Sequence, residues 1–523
     1  MNTTPSRVKW SRLGSQVGLG ALLLGASLAL GASGSCRSIP NEDSRPAPGS
    51  SPWDSRTDSG VPVHTGTTGD TEPAGDTSES EVIDPEGVSF ACGEWETGTA
   101  PVGEVMIREA DLVFETDRTH SVIGAKAADT DGDGCSELML TTNHQNGSQW
   151  LLPGTLAETN IVEERRIASV QGEWGHDMRT LAVGDLDDDG DRDDWLIGAV
   201  GDLSTTDDFT GAVYLYLSPL SGDYQEGEGA STIWGPSDSD YFAMAVGAGD
   251  TDGDSRDDIA VGWGYYDSSY RSAMRLFRAP FAQDVSADDA VAYFEGDGIF
   301  GERLTLDSDL NGDGLHDLVA TAFSENGYTG SVYVYYGPVS GTYRQEDADR
   351  VLLGEGQGMF TGHGISGGAD ANRDGYDDIM VAAHASGGSG KVYVVFGPIT
   401  EGATLVGSSA VFAGGGTLGM DSVSLTQDLD ADGYPDPAMG ASSDGSWSDE
   451  PEGAAYLFYG PVTGTRATHD ADAIFYEDDE DWDDGNIGGF VEGLGDTDGD
   501  GFDDLLIGMW GRGPAYVFRG GPR

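Results

Sequence analysis

Seven times along this chain the same acidic loop returns, and that repetition restricts the fold more than any other feature. From Asp129 it reads DTDGDGCSELML, from Asp250 DTDGDSRDDIAVG, from Asp309 DLNGDGLHDLVA, from Asp370 DANRDGYDDIMVA, from Asp428 DLDADGYPDPAMG and from Asp496 DTDGDGFDDLLIG. A copy at Asp185, DLDDDGDRDDWLIG, carries one extra residue. Successive starts lie 56, 65, 59, 61, 58 and 68 residues apart. That regularity marks one repeat architecture rather than the two or three ordinary domains that 523 residues could otherwise hold.

The spacing carries its own chemistry. Oxygen ligands at positions 1, 3 and 5 of a tight turn converge on one point, a backbone carbonyl near position 7 joins them, and Gly at position 6 permits the turn. An acidic residue at position 9 completes the expected set. The ligands are then Asp129, Asp131, Asp133 and Glu137 in the first loop, and Asp185, Asp187 and Asp189 in the second. The insertion there leaves Asp193, taken as the ligand, or Asp194 for the ninth position. Next come Asp250, Asp252, Asp254 and Asp258; Asp309, Asn311, Asp313 and Asp317; and Asp370, Asn372, Asp374 and Asp378. Asp428, Asp430, Asp432 and Asp436, then Asp496, Asp498, Asp500 and Asp504, close the series. Hard oxygen donors suit Ca²⁺, whereas Zn²⁺ would call for His or Cys. The alternative, a set of solvated acidic turns without metal, leaves four carboxylates crowded around each turn uncompensated. An EF-hand is excluded because positions 10 to 14 are short apolar runs such as LLIG and IMVA, which read as buried strands rather than a helix.

Around each loop the same strands recur. Gly-containing apolar stretches such as AMAVGAG precede it, and the buried run follows. An alternating aromatic strand comes next: GAVYLYLSP, GSVYVYYGP, GKVYVVFGP, GAAYLFYGP or GPAYVFRGG. A Gly-Pro turn then leads to a fourth strand, beginning near Ala110, Arg165, Ser231, Val291, Ala348, Ser409 and Ala471. Four strands in seven repeats, with no sustained helical period, predict an all-β, seven-bladed β-propeller with a calcium loop in each blade. The last aromatic strand, Pro514 to Phe518, has no fourth strand after it, while Ala110 to Glu115 has no blade before it. Pairing the two is expected to close the ring.

In these residues the chain resembles the FG-GAP repeats of the integrin α-subunit propeller and its bacterial relatives, over roughly residues 104–523. Phe-Gly survives literally at Phe300-Gly301, and the Gly-Ala-Pro element is degenerate, as in Gly198-Ala199-Val200 and Gly440-Ala441-Ser442. The resemblance implies calcium loops on one face of the disc. The opposite face would then carry Tyr265, Tyr266, Tyr270, Trp447, Trp482, Trp510 and Trp174 as candidate contacts for a surface protein or a glycan, or as blade-edge packing.

Composition sets the cellular context. Residues 1–35 read as an export signal: Arg7, Lys9 and Arg12 precede a 14-residue apolar core, Val17 to Leu30, too short to span a bilayer comfortably. Cys36 follows in GASGSC, a partial lipobox with Ser33 and Gly34 at its usual leucine and alanine positions. Lipidation at Cys36, plain cleavage and an uncleaved anchor are the three outcomes, and lipidation is the leading one. Residues 36–103 begin with a Ser/Thr/Pro/Gly-rich stretch, to roughly 88, too poor in apolar residues to order itself, which predicts a disordered tether. Export makes a Cys92–Cys135 disulfide the expected state, with two separate thiols as the alternative. The net charge of −66 disfavours nucleic acid and anionic lipid as partners, leaving a lipid anchor as the one membrane contact, and the chain is expected to be a monomer.

Two apparent catalytic motifs fail on context. Gly364-Ile365-Ser366-Gly367-Gly368 leads into a loop rather than a helix, and GGSGK at 387–391 precedes a strand with Val392 where a phosphate loop needs Ser or Thr. The reading is therefore a binding or adhesion module without catalytic activity. Its alternatives are the propeller of a secreted polysaccharide- or lipid-acting enzyme system and a passive surface protein. His316, at position 8 of its loop, is expected to face solvent.

Overall fold

Strands that are apolar on both faces cannot end at a solvated sheet, and here they are stacked blade on blade. The computed structural model describes residues 98–523 except 116–121, 143–146, 155–159, 162–165, 173–176, 201–210, 237–240, 265–270, 386–389, 401–403, 416, 421, 443–452, 478–484 and 512. All described residues belong to one unit, Ser80–Arg523. Their strands form seven sheets, numbered here as blades I to VII by the loops at Asp129, Asp185, Asp250, Asp309, Asp370, Asp428 and Asp496. Within a blade the first strand leads into the acidic loop, the buried run is the second strand, and the aromatic run is the third. In blade IV these are Leu304–Ser308, Asp317–Thr321 and Ser331–Tyr335, with Arg350–Leu353 outside. The seven first strands touch one another in a closed cycle around an axis. A cavity of about 220 Å³ lies there, lined by Ile123, Leu181, Arg303, Val423, Phe490 and Glu492 among others. This is the seven-bladed β-propeller the repeats predict.

Seven apolar clusters hold the ring, one between each pair of neighbouring blades. Between blades III and IV, for example, Met274, Leu276 and Phe294 meet Leu306, Leu318 and Tyr335. Alternate residues of a third strand, such as the Val and Tyr of Ser331–Tyr335, thus serve two interfaces, one per face. Full burial of both faces explains why these strands read as continuous apolar or aromatic runs.

Closure follows the expected pairing. Leu112–Glu115 lies antiparallel to the last strand, with Leu112 opposite Val517, Val113 opposite Tyr516 and Phe114 opposite Ala515. Sequence reading missed a fifth strand. Among the described residues, five blades pair their outer strand in parallel with a short segment of the next repeat, between its third and fourth strands; Gly341–Arg344 of blade IV lies along Ala292–Asp297 of blade III in this way. At the closure Gly103–Met106 takes that place on blade VI, register Gly103 to Ala473 through Met106 to Tyr476. The N-terminal end of the ring is therefore bound into two blades.

Candidate metal loops

Each acidic loop is wound around its first aspartate. In blade I the Asp129 carboxylate accepts amide hydrogens from Gly132 at 2.9 Å, Asp133 at 3.1 Å and Gly134 at 2.9 Å. Blade VII repeats this at Asp496 with Gly499 and Gly501, at 2.7 and 2.8 Å. Such winding needs left-handed backbone at positions 4 and 6. Position 6 is Gly in six loops, with φ from +82° at Gly433 to +100° at Gly190, and Ser255 adopts +72° in blade III. The coil aims the oxygens of positions 1, 3 and 5 at a common point. Asp185, Asp187 and Asp189, then Asp250, Asp252 and Asp254, then Asp496, Asp498 and Asp500, each place an oxygen within 4.8 Å of the others. Asp129, Asp131 and Glu137 do the same, as do Asp428, Asp430 and Asp436. The two remaining loops have Asn311 and Asn372 at position 3.

A divalent cation fits this donor set. At position 3, Asp252 Oδ1, Asn372 Oδ1 and Asp498 Oδ2 are buried without a hydrogen-bond partner, although Asp498 Oδ2 does lie 3.0 Å from the Arg519 guanidinium. Buried oxygens left this way cost free energy unless a cation meets them.

The ninth position does something the spacing did not reveal. Asp317 accepts the Leu310 amide at 2.9 Å and the Gly337 amide at 2.9 Å; Asp378 does the same with Ala371 at 2.8 Å and Gly397 at 2.7 Å. Asp436 and Asp504 repeat the pattern. This carboxylate pins the loop to the end of the third strand. In blade II that role falls to Asp194, through Leu186 at 3.0 Å and Ser218 at 2.8 Å, and not to Asp193. The extra residue shifts the register by one, so Asp194 is buried and Asp193 stays partly exposed. Burial, reinforced by neighbouring loop carboxylates, pushes Asp317 and Asp378 up to about 7 and Asp436 to about 8. A cation at the loop centre opposes that shift.

Position 8 links one loop to the next. The Asp257, Asp377 and Asp503 carboxylates accept the first amide of the preceding loop, at Asp185, Asp309 and Asp428, over 3.1, 2.8 and 2.8 Å. His316 does likewise for Asp250, through Nδ1 at 2.9 Å, so its expected solvent-facing role is replaced by a bridge between blades III and IV. Pro435 occupies the position in blade VI. There Arg373 of blade V reaches across instead, donating to the Asp432 carbonyl at 2.8 Å and to the Gly433 carbonyl, with its guanidinium 4.0 Å from the centre of the Tyr434 ring. Aspartates directly before the position-9 residue gave no sequence signal that distinguished these bridges from the ligands themselves.

Cys135 is fully buried and disulfide-bonded; its partner, Cys36 or Cys92, lies outside the described residues. The signal segment and tether also lie outside them, as do Tyr265, Tyr266, Tyr270, Trp447, Trp482 and Trp174. Trp510 belongs to the second strand of blade VII, opposite Asn486. The Ser366 hydroxyl of the G-x-S-x-G segment accepts the Leu425 amide at 3.2 Å within an inner strand, and Lys391 starts a strand and pairs with Glu355. Among the described residues no helix is long and apolar enough to cross a membrane.

The FG-GAP repeat model matches residues 300–335 and 361–395, which run from the Phe300-Gly301 turn through the loops and third strands of blades IV and V. The chain carries FG-GAP repeats in these two blades and is similar to integrin α subunits. It is 30% identical over 234 residues to integrin alpha pat-2 of Caenorhabditis briggsae, covering 41% of this chain and 18% of that one. With human integrin alpha-8 it shares 30% over 232 residues, covering 40% and 20%. With chicken integrin alpha-6 it shares 35% over 163 residues, covering 29% and 14%. The chain thus aligns with a fifth or less of the length of these relatives. Among solved structures the Dos1 propeller superposes with a TM-score of 0.40 at 12% identity, over 77% of this chain and 78% of its own.

Proposed function

We propose that this chain is a calcium-stabilised binding or adhesion module exposed outside the cell, carried on a tether from a lipidated Cys36. The observation that supports it best is the convergence of three carboxylates in five loops, with the position-3 oxygens Asp252 Oδ1 and Asn372 Oδ1 buried and unpartnered in two loops. All seven loops join first to second strands, so the antiparallel blades put them at one end of the disc together with the turns after the third strands. Connections from second to third strands, and from each outer strand to the next blade, emerge at the other end. By chain order the candidate aromatics other than Trp510 fall within these connections, and a rigid scaffold presenting variable loops is a common design for recognition. Similarity to integrin α subunits supports a surface role.

Calcium in this reading is structural, holding the loop end while the opposite end meets a surface protein or glycan. Immobilised full-length protein, screened against glycans and surface proteins in calcium and in chelator, tests it. Selective binding, lost on substituting Trp447 and Trp482 but not the loop end, is the expected result. Binding that follows loop-end substitutions alone, in protein that stays folded, contradicts it.

A further inference from the structure

The seven loops differ in charge at position 3, and the difference is compensated in a consistent way. Blades IV and V have the neutral Asn311 and Asn372 there. Blades III, VI and VII have Asp, and each of those aspartates meets an arginine. Arg278 Nε lies 3.0 Å from Asp252 Oδ2, and Arg519 Nε lies 3.0 Å from Asp498 Oδ2. Arg523 Nε contacts Asp430 while its Nη2 lies 3.1 Å from Asp432. Arg278 and Arg519 occupy the same slot, the residue before the Ala or Gly of the turn that follows the third strand, where blades IV, V and VI have Tyr336, Phe396 and Tyr459. Only Asp131 in blade I and Asp187 in blade II keep a position-3 charge with no cation on it among the described residues.

We infer that position 3 sorts the loops into two tight calcium sites, in blades I and II, and five weaker ones in blades III to VII. This rests on the calcium reading above and deepens it. Affinity in oxygen-ligand loops follows the number of ligand charges and the rigidity of the site. Asn removes one negative charge from a loop. An arginine neutralises one as well, and it also competes with the ion for the Oδ2 it touches and repels the incoming cation. The two routes reach the same net charge by different residues, which is what a tuned property would leave behind. Blade I packs against blade VII, where the chain ends pair, and carries the disulfide-bonded Cys135, so the first ions to bind would secure the blades next to the closure.

Calcium titration of the full chain by calorimetry, with bound ions counted by native mass spectrometry, tests this. Two tight ions followed by a weaker class are expected. Arg278→Gln and Arg519→Gln should each move one ion from the weak to the tight class, tightening it about tenfold. Arg278→Lys should leave it weak, and Asp187→Asn should weaken one tight ion similarly. Should a variant fail to fold, crystals of the unaltered protein grown at limiting calcium give the same answer, through anomalous scattering strongest in blades I and II. A single class of seven equal sites, or arginine substitutions that leave the isotherm unchanged, overturns the proposal. Absence of any calcium binding is a different outcome, and it removes the metal reading itself.

Discussion

The imidazole of His316 stands one residue before the buried Asp317 and accepts the Asp250 amide of the neighbouring blade at 2.9 Å. Its main-chain amide returns a bond to the Asp250 carbonyl at 2.8 Å. Replacing His316 with Ala orphans a part-buried donor, so chemical unfolding should show a loss of about 1–3 kcal/mol. His316→Asp should recover most of it, because Asp does this work at three sister positions. Asp378 and Asn372, in one loop, separate two roles. Asp378→Ala leaves the Ala371 and Gly397 amides unmet and should destabilise by roughly 2–5 kcal/mol whether or not calcium is present. Asn372→Ala removes a ligand oxygen, and its cost should vanish when the same melts are run in chelator. Equal losses for both variants in chelator would contradict this division.

At the scale of elements, strands were the most legible feature and the fifth strand the least. Third strands declare themselves through Tyr and Val alternation, and outer strands through their place after the Gly-Pro turn. The fifth strand is a four-residue run such as GTYR, exposed on most of its residues, whose only partner is a blade encoded earlier in the chain. No local pattern marks such a pairing, although the recurring Asp-Ala-Asp after it, at 347–349 and 470–472, hints at a shared turn. In that turn Asp347 accepts the Arg344 amide at 2.8 Å, and Asp349 and Asp472 accept the amides of Tyr336 and Tyr459. Among site residues, the ligands at positions 1, 3 and 5 were legible because their spacing is a property of the loop itself. Position 9 was legible as an acidic member of the set, and Glu137 and Asp436 do join their clusters. Its bonds to the end of the third strand were not legible, nor was position 8, because those partners lie in another loop or at the end of a distant strand. Cys135 joins local and distant structure in one residue. A Cys92–Cys135 cross-linked peptide is expected in non-reducing mass spectrometry of exported protein, and free thiols at both positions would refute the pairing.

For the molecule as a whole, the ring is continuous because its two ends share blades VI and VII. The Tyr459 hydroxyl donates to the Pro101 carbonyl at 2.8 Å and the Asp111 amide to the Val517 carbonyl at 2.9 Å, which extends the contact on both sides of Gly103–Met106. Removing residues up to Thr116 strips a strand from each of two blades and opens the cluster that contains Val105 and Ile107. Its melting temperature should fall far below that of a chain lacking only residues 37–88; similar melting temperatures for the two deletions would contradict the closure. A cost borne by the whole ring also attends its charge. At −66, with carboxylates concentrated at one end, the folded chain repels itself, and seven calcium ions would return +14 where the crowding is greatest. Ions that bind only the folded state stabilise it by mass action, with sites of this exterior type holding calcium near 10⁻⁴ to 10⁻³ M, roughly. The most direct test of the account is a thermal melt of the full chain in millimolar calcium and again in excess chelator. The account predicts a melting temperature that drops substantially on chelation and recovers when calcium is restored; an unchanged melt would contradict it.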